Sequence, residues 1–341
     1  MAKEWTIADI LGISGSYWAG CALQAGIALD LFTAVEKGKG NAQDKRLSVR
    51  DLALSLACDE RALGMLATAL IALGFLEGNT DDVTLPEHSW AYLSRTSERY
   101  VGFIIKHHAH IMPGWVRLAE AVQSGRRQRE ISSSDTDDAE ERENFLMGMF
   151  NIAVNQAEMV ASALDLSGRK RLLDIGGGPG TYAVFFCKAN PGMRATVFDR
   201  PTSKSFAGNV ARRFGLHEFI DFAGGDFIAD ALPAGYDVAW LSHVLHGETP
   251  ADAAKLVAKA AKTLNPGGLL AIQEFVLDDK RNGPVHPALF SLNMLVGTSG
   301  GQAYTGAEIS DMLQKAGAER IKRLEIDLPM GCGILAGQMP G

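Results

Sequence analysis

A glycine-rich segment near the middle of the chain has the residue types needed to bind a flat cofactor. An apolar run from Arg171 to Ile175 leads into alternate glycines, Gly176, Gly178 and Gly180, and Asp174 precedes the first of them. This pattern predicts a strand, a tight turn and a helix. Glycine permits positive φ and lets a ligand approach the backbone without meeting a Cβ. We therefore expect a cofactor over the carboxyl end of this strand.

The spacing of the glycines distinguishes two classes of cofactor. A dinucleotide-binding turn reads Gly-x-Gly-x-x-Gly; its third glycine would fall where this chain has Thr181. The observed pattern is Asp-x-Gly-x-Gly-x-Gly, with Gly177 as a further glycine, and it resembles motif I of the class I S-adenosylmethionine methyltransferases. Such a loop holds no pyrophosphate and has to accommodate only a nucleoside and an amino acid. A glycine turn in another doubly wound fold is the alternative.

An acid at the end of the next strand supports a nucleoside ligand. The segment from Arg194 to Asp199 reads as a strand, and a carboxylate at its end can accept hydrogen bonds from both ribose hydroxyls. The alternative role for Asp199 is that of a helix N-cap, because Pro201 and Thr202 can open a helix.

A third segment, Gly224–Phe227, follows another short strand. Here Gly225 is followed by Asp226, which suits the exocyclic amine of an adenine, and by Phe227, which suits the face of its ring. Alone, this tetrapeptide is a common turn. Because it follows the other two motifs, we interpret it as the adenine end of the cofactor site.

Composition places the chain among globular proteins with a sizeable core. It has 341 residues, of which 47% are hydrophobic and 21% charged, and its formal net charge is −7. The negative charge disfavours a general nucleic-acid role. Four cysteines without a Cys-x-x-Cys pair predict reduced thiols of a cytoplasmic protein, with neither a disulfide framework nor a zinc site. Neither a signal-peptide pattern nor an apolar segment long enough to span a bilayer is evident.

The N-terminal part predicts helices followed by a small hairpin. The expected elements are one or two helices over 6–34, helices at 48–56 and 60–73, and a hairpin turning at 79–82. Two helices and a hairpin resemble a winged helix. Only Arg61 is basic between Asp59 and Glu87, however, so we expect packing or dimerisation and not DNA binding.

The rest of the chain alternates strands and helices, which predicts a parallel, doubly wound α/β sheet. The expected strands lie near 171–175, 194–199, 218–222, 236–242, 268–275, 320–326 and 332–338, with helices at 143–166 and 250–264. The last two strands should pair antiparallel at the sheet edge, as in the class I methyltransferase fold. A polar run over 124–135 sets the expected domains: a dimerisation domain at 1–125, a linker and connecting helix at 126–165, and a cofactor-binding domain at 166–341.

Together these features resemble the small-molecule O-methyltransferase family, which includes plant caffeic acid and flavonoid enzymes and bacterial relatives acting on polyketides, carotenoids and bacteriochlorophylls. The resemblance covers nearly the whole chain. It implies a seven-stranded Rossmann-like core that binds S-adenosylmethionine and releases S-adenosylhomocysteine, an N-terminal domain that builds a homodimer, and no metal. The residues that it assigns to the cofactor are Asp174, Gly176, Gly177, Gly178, Gly180, Asp199, Gly225, Asp226, Phe227 and Ser242.

The same resemblance identifies a catalytic segment. His246 falls at the position of the family's catalytic histidine, and we expect it to take the proton of an acceptor hydroxyl. The Asp-Trp that follows in the family is replaced here by Gly247-Glu248. Plant members carry Lys at the position of Ser242, and bacterial members often carry Arg at that of His243. His243 is the second candidate base, and Glu248 either orients the imidazole or starts a helix.

Apolar side chains are expected to line the acceptor pocket, although plain core packing is open for each. They are Trp115, Phe145, Met149, Phe290 and Met294. In the family the helix that carries Phe290 borders the acceptor, and the Gly300-Gly301 turn after it also matches. Three histidines of the N-terminal part predict a metal site, a part of the pocket or an ordinary polar helix face. They are His107, His108 and His110.

The implied reaction is methyl transfer to a hydroxyl of an aromatic or polyketide-like small molecule. Three alternatives stay open: N- or C-methylation or a non-methylating hydroxylase or decarboxylase on the same fold, a non-catalytic scaffold, and a winged-helix regulator. His246 favours O-methylation, since a base is most useful for a hydroxyl. The intact glycine loop with its acids argues against a scaffold, and the scarcity of basic residues disfavours a regulator.

Overall fold

The computed structural model describes residues 4–39, 47–129 and 138–341. Contacts between residues divide the chain into two compact units, one ending at His110 and the other beginning at Ile111. The domain boundaries expected at 125 and 165 stay a prediction, and residues 130–137 of the expected linker lie outside the described part.

The first unit is helical with one small hairpin. Its elements are α1 (Ile7–Gly15), α2 (Tyr17–Ala28), α3 (Leu31–Lys39), α4 (Val49–Leu56), α5 (Glu60–Ala72), β1 (Glu77–Asn79), β2 (Asp82–Thr84) and α6 (Glu87–Leu93), and α7 (Gly102–Val116) runs through the division. Three helices occupy the region in which one or two were expected. The two helices and the hairpin that follow are confirmed, and β1 pairs antiparallel with β2. Their core contains Phe32, Leu70 and Leu76, each essentially inaccessible to solvent.

The second unit contains a long sheet flanked by helices. Its helices are α8 (Leu118–Ser124), α9 (Ala139–Ala163), α10 (Thr181–Ala189), α11 (Lys204–Arg213), α12 (Pro250–Ala261), α13 (Val285–Gly297) and α14 (Gly306–Lys315). Its strands are β3 (Arg171–Ile175), β4 (Arg194–Asp199), β5 (Ile220–Gly224), β6 (Tyr236–Ser242), β7 (Leu264–Leu277), β8 (Tyr304–Thr305), β9 (Glu319–Arg323) and β10 (Cys332–Gln338).

The strand order across the sheet is β5-β4-β3-β6-β7-β10-β9, and the short β8 pairs with β7 outside this path. The pairs from β5 to β7 are parallel. Strand β10 is antiparallel to both of its neighbours, β7 and β9. The Rossmann-like core with an antiparallel last strand is therefore confirmed. Successive residues of β3 point to opposite faces, so Leu172 and Leu173 lie in two separate hydrophobic clusters.

Several element boundaries differ from the expectation. Helix α9 begins at Ala139 and not at 143, because the Asp138 side chain accepts the amides of Glu140 and Glu141 and caps it. Helix α12 ends at Ala261, where Thr263 donates its hydroxyl to the carbonyl of Ala260 at 2.7 Å. The helix expected over 250–264 is therefore shorter, and Leu264 already belongs to β7.

Among the described residues, no single helix is long and apolar enough to cross a membrane. One bent pair, Ile7–Ala28 with Leu31–Gly38 at 55°, meets the criteria of length and composition when its two parts are taken together.

Candidate active site

The loop after β3 is braced from below by Asp174. This carboxyl group is 1% exposed, and its Oδ2 accepts the amide of Ala183 at 3.3 Å. A Cβ on Gly177 would lie 2.6 Å from the same carboxyl group, so only glycine allows this approach. Burial raises the pKa of Asp174 to about 7.

Asp199 joins the glycine loop to the end of β4. Its Oδ2 accepts the amide of Gly178 at 2.8 Å. Its Oδ1 accepts the amide of Arg200 at 2.7 Å and the hydroxyl of Ser203 at 2.8 Å. The alternative role of Asp199 as a helix N-cap is not borne out, because Arg200 is the N-cap residue of the 3-10 turn Pro201–Ser203 and no side chain caps that turn. Asp199 ends β4 at the carboxyl edge of the parallel strands. Burial raises the pKa of Asp199 above its ordinary value, against the effect of these hydrogen bonds.

The third predicted segment lies against the same loop. Asp226 Oδ2 forms an ion pair of 2.9 Å with Arg200, and its Oδ1 accepts the amides of Ile228 and Ala229. The Phe227 ring lies 3.5 Å from where a Cβ on Gly176 would be. The structure thus brings the glycine loop, both strand-end acids and this aromatic ring to one edge of the sheet.

These residues fit a cofactor that carries a nucleoside. Gly178 has a φ of 52°, and a Cβ built on it would meet only Leu146, at 3.7 Å, so space is open above the loop. Asp174 Oδ1 is buried without a hydrogen-bond partner in the described part of the chain, which leaves an acceptor for a polar ligand group. Gly225 allows the Phe198 ring to approach the backbone at this position, because a Cβ built on Gly225 would lie 2.6 Å from that ring.

His246 is held by an acid on the neighbouring strand. It lies in the 3-10 turn Leu245–Gly247 directly after β6, and its Nδ1 is 2.7 Å from Glu274 Oε2. The other oxygen, Oε1, accepts the backbone amide of His246 at 3.3 Å. Burial alone would raise the pKa of Glu274, but the imidazole charge and the hydrogen bonds of His246 outweigh it and hold the pKa below its ordinary value. In the neutral form of His246, with Nδ1–H donating to the carboxylate, Nε2 carries the lone pair.

Glu274 was not among the predicted site residues. The sequence did offer a signal, since Gln273 and Glu274 interrupt an otherwise apolar strand, and polar side chains that are 0% and 1% exposed need partners. Of the two roles predicted for Glu248, orienting the imidazole or starting a helix, the first is filled by Glu274, which occupies the position at Nδ1. The backbone carbonyl of Glu248 accepts the hydroxyl of Tyr304 at 3.0 Å.

His243 lies beside this pair in an unusual backbone conformation. Its φ is 57°, which is uncommon for a residue other than glycine. Its ring centroid is 5.9 Å from that of His246 and 4.4 Å from that of Phe275. Burial lowers the pKa of His243 to about 4, so its imidazole is neutral at physiological pH. The two candidate bases therefore lie side by side.

Aromatic side chains form a wall next to His246. Phe290 on α13 meets the imidazole edge to face at 4.7 Å between centroids. Phe275 lies 4.4 Å from Phe290 and 5.0 Å from His286. On the same helix, Asn293 accepts the indole N–H of Trp115 at 3.1 Å. Two of the predicted pocket residues, Phe290 and Trp115, are therefore connected through α13.

The glycine turn after α13 packs on the catalytic segment. A Cβ on Gly301 would lie 2.2 Å from the carbonyl oxygen of His246, and one on Gly300 would lie 2.8 Å from the Thr249 side chain. The Gly301 amide donates to Thr298 Oγ1 at 2.8 Å. Only a residue without a side chain fits at 301, so this turn fixes the path of the backbone that carries His246.

The remaining predicted residues stay predictions as site residues. Ser242 ends β6 beside Gln273 of β7, Met294 is buried, and Phe145 and Met149 are half-buried on α9. The three N-terminal histidines lie on α7, where His107 is buried while the other two are exposed. In the described ranges, the three-residue group with metal-ligand geometry consists of His243, His246 and Glu274 instead.

Known proteins resemble this chain in sequence and in fold. A family model of the O-methyltransferase domain matches residues 115–319. The chain is 34% identical over 327 residues to 3-hydroxy-5-methyl-1-naphthoate 3-O-methyltransferase of Streptomyces sahachiroi, covering 94% of this chain and 92% of that enzyme. It is 29% identical over 326 residues to the tetracenomycin polyketide synthesis 8-O-methyl transferase TcmO of Streptomyces glaucescens, covering 94% of each.

Solved structures of related proteins contain the expected cofactor. Human N-acetylserotonin methyltransferase in complex with S-adenosylmethionine superposes with a TM-score of 0.84 and 25% identity, and all of both chains is covered. PigF with S-adenosylhomocysteine gives a TM-score of 0.87 and 26% identity, covering 98% of this chain and 100% of that one. The cofactor of this chain is therefore S-adenosylmethionine, and the chain belongs to the O-methyltransferase family that its glycine loop and sheet had indicated.

Proposed function

We propose that this enzyme transfers a methyl group to a hydroxyl of a polyketide-like aromatic molecule and that His246 is the general base. The observation that carries the proposal is the 2.7 Å contact between His246 Nδ1 and Glu274 Oε2. It fixes the tautomer in which Nε2 can accept a proton. The relatives support the acceptor class, since one is named for a hydroxynaphthoate and another for a tetracenomycin polyketide.

The chemistry follows from these side chains. The sulfonium of S-adenosylmethionine supplies an activated methyl group, so the protein has to align the acceptor and remove its proton. A phenol with a pKa of about 10 attacks faster as the phenolate. His246 Nε2 takes that proton, and Glu274 stabilises the imidazolium that forms. Phe290 and Phe275 hold the acceptor ring against the imidazole. General-base assistance of this kind contributes about 10²–10⁴-fold.

Three side chains are assigned to the nucleoside part of the cofactor. Asp199 receives the ribose hydroxyls and Asp226 the adenine amine, while Phe227 covers the adenine face. This proposal is supported by two contacts with the glycine loop, since Asp199 binds the Gly178 amide and Phe227 lies against Gly176. Asp226 is the residue next to Phe227 in the chain. The pair between Asp226 and Arg200 keeps the adenine-side acid oriented before the ligand arrives.

We further propose that the protein is a homodimer through its N-terminal helices. Large apolar side chains of this segment are exposed in the single chain, which is unusual for a surface that stays in water. They are Trp5, Ile7, Ile10, Leu11, Ile13, Tyr17 and Trp18, with exposures from 52% to 78%. Light scattering should give a dimer mass for the wild type and a lower mass for Ile10→Lys, with Ser205→Lys on exposed α11 as the control. A monomeric wild type would remove this part of the proposal.

The decisive experiment compares His246→Gln with His217→Gln, an exposed histidine. Purified enzyme is incubated with S-adenosylmethionine and a panel of hydroxylated naphthoates and anthraquinones, and the methylated products are identified by mass spectrometry. We expect the kcat of His246→Gln to fall by about 10²–10⁴-fold, with unchanged affinity for S-adenosylhomocysteine by titration calorimetry. Full activity of His246→Gln would contradict the assignment of the base, and transfer to nitrogen or carbon instead of oxygen would contradict the reaction.

A further inference from the structure

Three metal-ligating side chains meet at the catalytic histidine. Glu274 Oε2 lies 2.7 Å from His246 Nδ1 and 3.8 Å from His243 Nδ1. One ligand atom from each of the three residues falls within 4.8 Å of the other two. All three side chains are largely shielded from water, with exposures of 14%, 16% and 1% for His246, His243 and Glu274. The group is thus preformed and enclosed, unlike a cluster of surface acids.

The general-base mechanism does not account for His243. Its Nδ1 is buried and has no hydrogen-bond partner among the described residues. If Nδ1 carries a lone pair, it faces the carboxylate of Glu274, and if it carries a proton, 3.8 Å is too long for a hydrogen bond. The φ of His243 is positive, at 57°, a conformation that costs strain in a residue other than glycine. A cation between the three groups would satisfy both the imidazole and the carboxylate.

The donor set points to one class of cation. Two imidazole nitrogens and one carboxylate oxygen suit Zn²⁺ and similar first-row ions, whereas Mg²⁺ and Ca²⁺ prefer oxygen ligands alone. Tetrahedral Zn²⁺ with bonds of about 2.0–2.1 Å separates its ligand atoms by about 3.3 Å. The contacts of the two histidines with Glu274, at 3.8 and 2.7 Å, bracket that separation, and every pair of ligand atoms lies within 4.8 Å. The fourth position would be open, as in a site with three protein ligands.

We propose that His243, His246 and Glu274 form a binding site for Zn²⁺ or a similar ion that switches off the general base. The switch rests on the function proposed above for His246. A metal bound at His246 Nδ1 displaces the proton from that nitrogen, and the neutral imidazole then carries its proton on Nε2. That nitrogen can no longer accept the proton of the hydroxyl. Metal binding and proton transfer are therefore mutually exclusive at this residue.

The test begins with metal binding, which needs no acceptor. Enzyme treated with EDTA and dialysed is titrated with Zn²⁺ by calorimetry, and Co²⁺ is added to a second sample to record its visible absorption. We expect one equivalent of Zn²⁺ and a Co²⁺ spectrum typical of nitrogen and oxygen ligands in low coordination. His243→Asn, a residue that tolerates the positive φ, should bind at least tenfold more weakly, and so should His246→Asn. Exposed His217→Asn should bind like the wild type.

A nearby thiol needs its own control. Cys332 Sγ lies 3.8 Å from His243 Nε2, on the side of the ring away from the Nδ1 that faces Glu274. Cys332→Ser should therefore retain the metal. The proposed ligand set would be overturned if His243→Asn bound Zn²⁺ as tightly as the wild type, whether or not Cys332→Ser lost binding. It would also be overturned if the wild type bound no Zn²⁺.

Inhibition is measured separately from binding. Zn²⁺ should inhibit methyl transfer by the wild type, EDTA should restore it, and the half-inhibitory concentration should rise at least tenfold in His243→Asn. Affinity for S-adenosylhomocysteine should not change with Zn²⁺. If the EDTA-treated enzyme methylates no hydroxyl, the proposed function fails while the binding result still stands. If it is active and Zn²⁺ binds without inhibiting, the switch alone fails.

Discussion

Glu274 accepts two hydrogen bonds from one residue, His246: the ring Nδ1 contacts Oε2 at 2.7 Å and the backbone amide contacts Oε1 at 3.3 Å. The acid thus fixes both the position of the backbone and the rotation of the ring. Because His246 lies in the turn that follows β6 and Glu274 lies near the carboxyl end of the adjacent strand β7, the pairing of these two strands sets the distance between the residues.

This relationship predicts the behaviour of Glu274→Gln. A glutamine amide can donate to Nδ1, which would place the proton on Nε2 and leave no lone pair for the acceptor. We expect kcat to fall by about 10²–10⁴-fold, while affinity for S-adenosylhomocysteine stays the same. The exposed Glu325→Gln serves as the control. A normal kcat in a folded Glu274→Gln would show that orientation by this acid is not needed.

Asp199 is expected to control cofactor affinity. Asp199→Asn keeps the shape but replaces one acceptor oxygen with a donor, which faces the amide of Gly178 or Arg200. Hydrogen bonds to charged groups contribute about 1.5–3 kcal/mol, so the Kd for S-adenosylmethionine should rise by about 10–100-fold. Ser203→Ala removes only one of the donors to Asp199 and should have a smaller effect. Equal affinities for Asp199→Asn and the wild type would argue against the ribose role.

Gly301 is expected to be intolerant of any side chain. In Gly301→Ala the new methyl group would lie 2.2 Å from the His246 carbonyl oxygen, so the turn or the catalytic segment must shift. Overpacking of this kind costs about 1–3 kcal/mol of stability, and kcat should fall because the imidazole moves. Gly247→Ala is the matched control, because its Cβ meets nothing within 4 Å. Thermal unfolding and steady-state kinetics of both variants decide the matter.

The buried carboxyl group of Asp174 should make the stability of the folded protein depend on pH. Burial raises its pKa from 3.8 to about 7 in the folded protein, so the folded state favours the neutral acid. The contribution of Asp174 to the free energy of unfolding is therefore largest below about pH 4. It decreases as the pH rises from about 4 to 7, because the unfolded chain loses this proton before the folded protein does. Asp174→Asn does not ionise and should gain stability relative to the wild type across that range. The largest gain in the free energy of unfolding is on the order of 4 kcal/mol, since each pKa unit corresponds to about 1.4 kcal/mol.

Urea denaturation of Asp174→Asn and the wild type at pH 5 and pH 8 measures this difference. Asp81→Asn, at the exposed turn of the hairpin, is the control and should follow the wild type at both values. A difference between Asp174→Asn and the wild type that does not change with pH would contradict the expected titration.

The sequence predicted the strands and the glycine turn at the carboxyl edge of the sheet because their signals are local. Glycines with a preceding acid mark a strand and a turn within ten residues. Asp199 ends β4, and Phe227 follows the end of β5 by three residues, so both are visible in the same way. The partner of His246 has no such local signal: Glu274 lies on another strand, and only the parallel register of β6 with β7 brings them together. The predicted ends of two helices were wrong for a related reason. Asp138 and Thr263 form the side-chain hydrogen bonds at these ends, but neighbouring polar residues in the sequence could have formed them as well.

The antiparallel direction of β10 has a practical consequence. Cys332 at its start pairs with Phe275 near the carboxyl end of β7, and Gln338 at its end pairs with Leu269. The last residues thus leave the sheet at the edge opposite His246 and the glycine loop, where Gly267 donates its amide to the carbonyl of Pro340. An affinity tag, a fluorescent protein or a tether to a solid support placed after Gly341 should leave the entrance for cofactor and acceptor unobstructed.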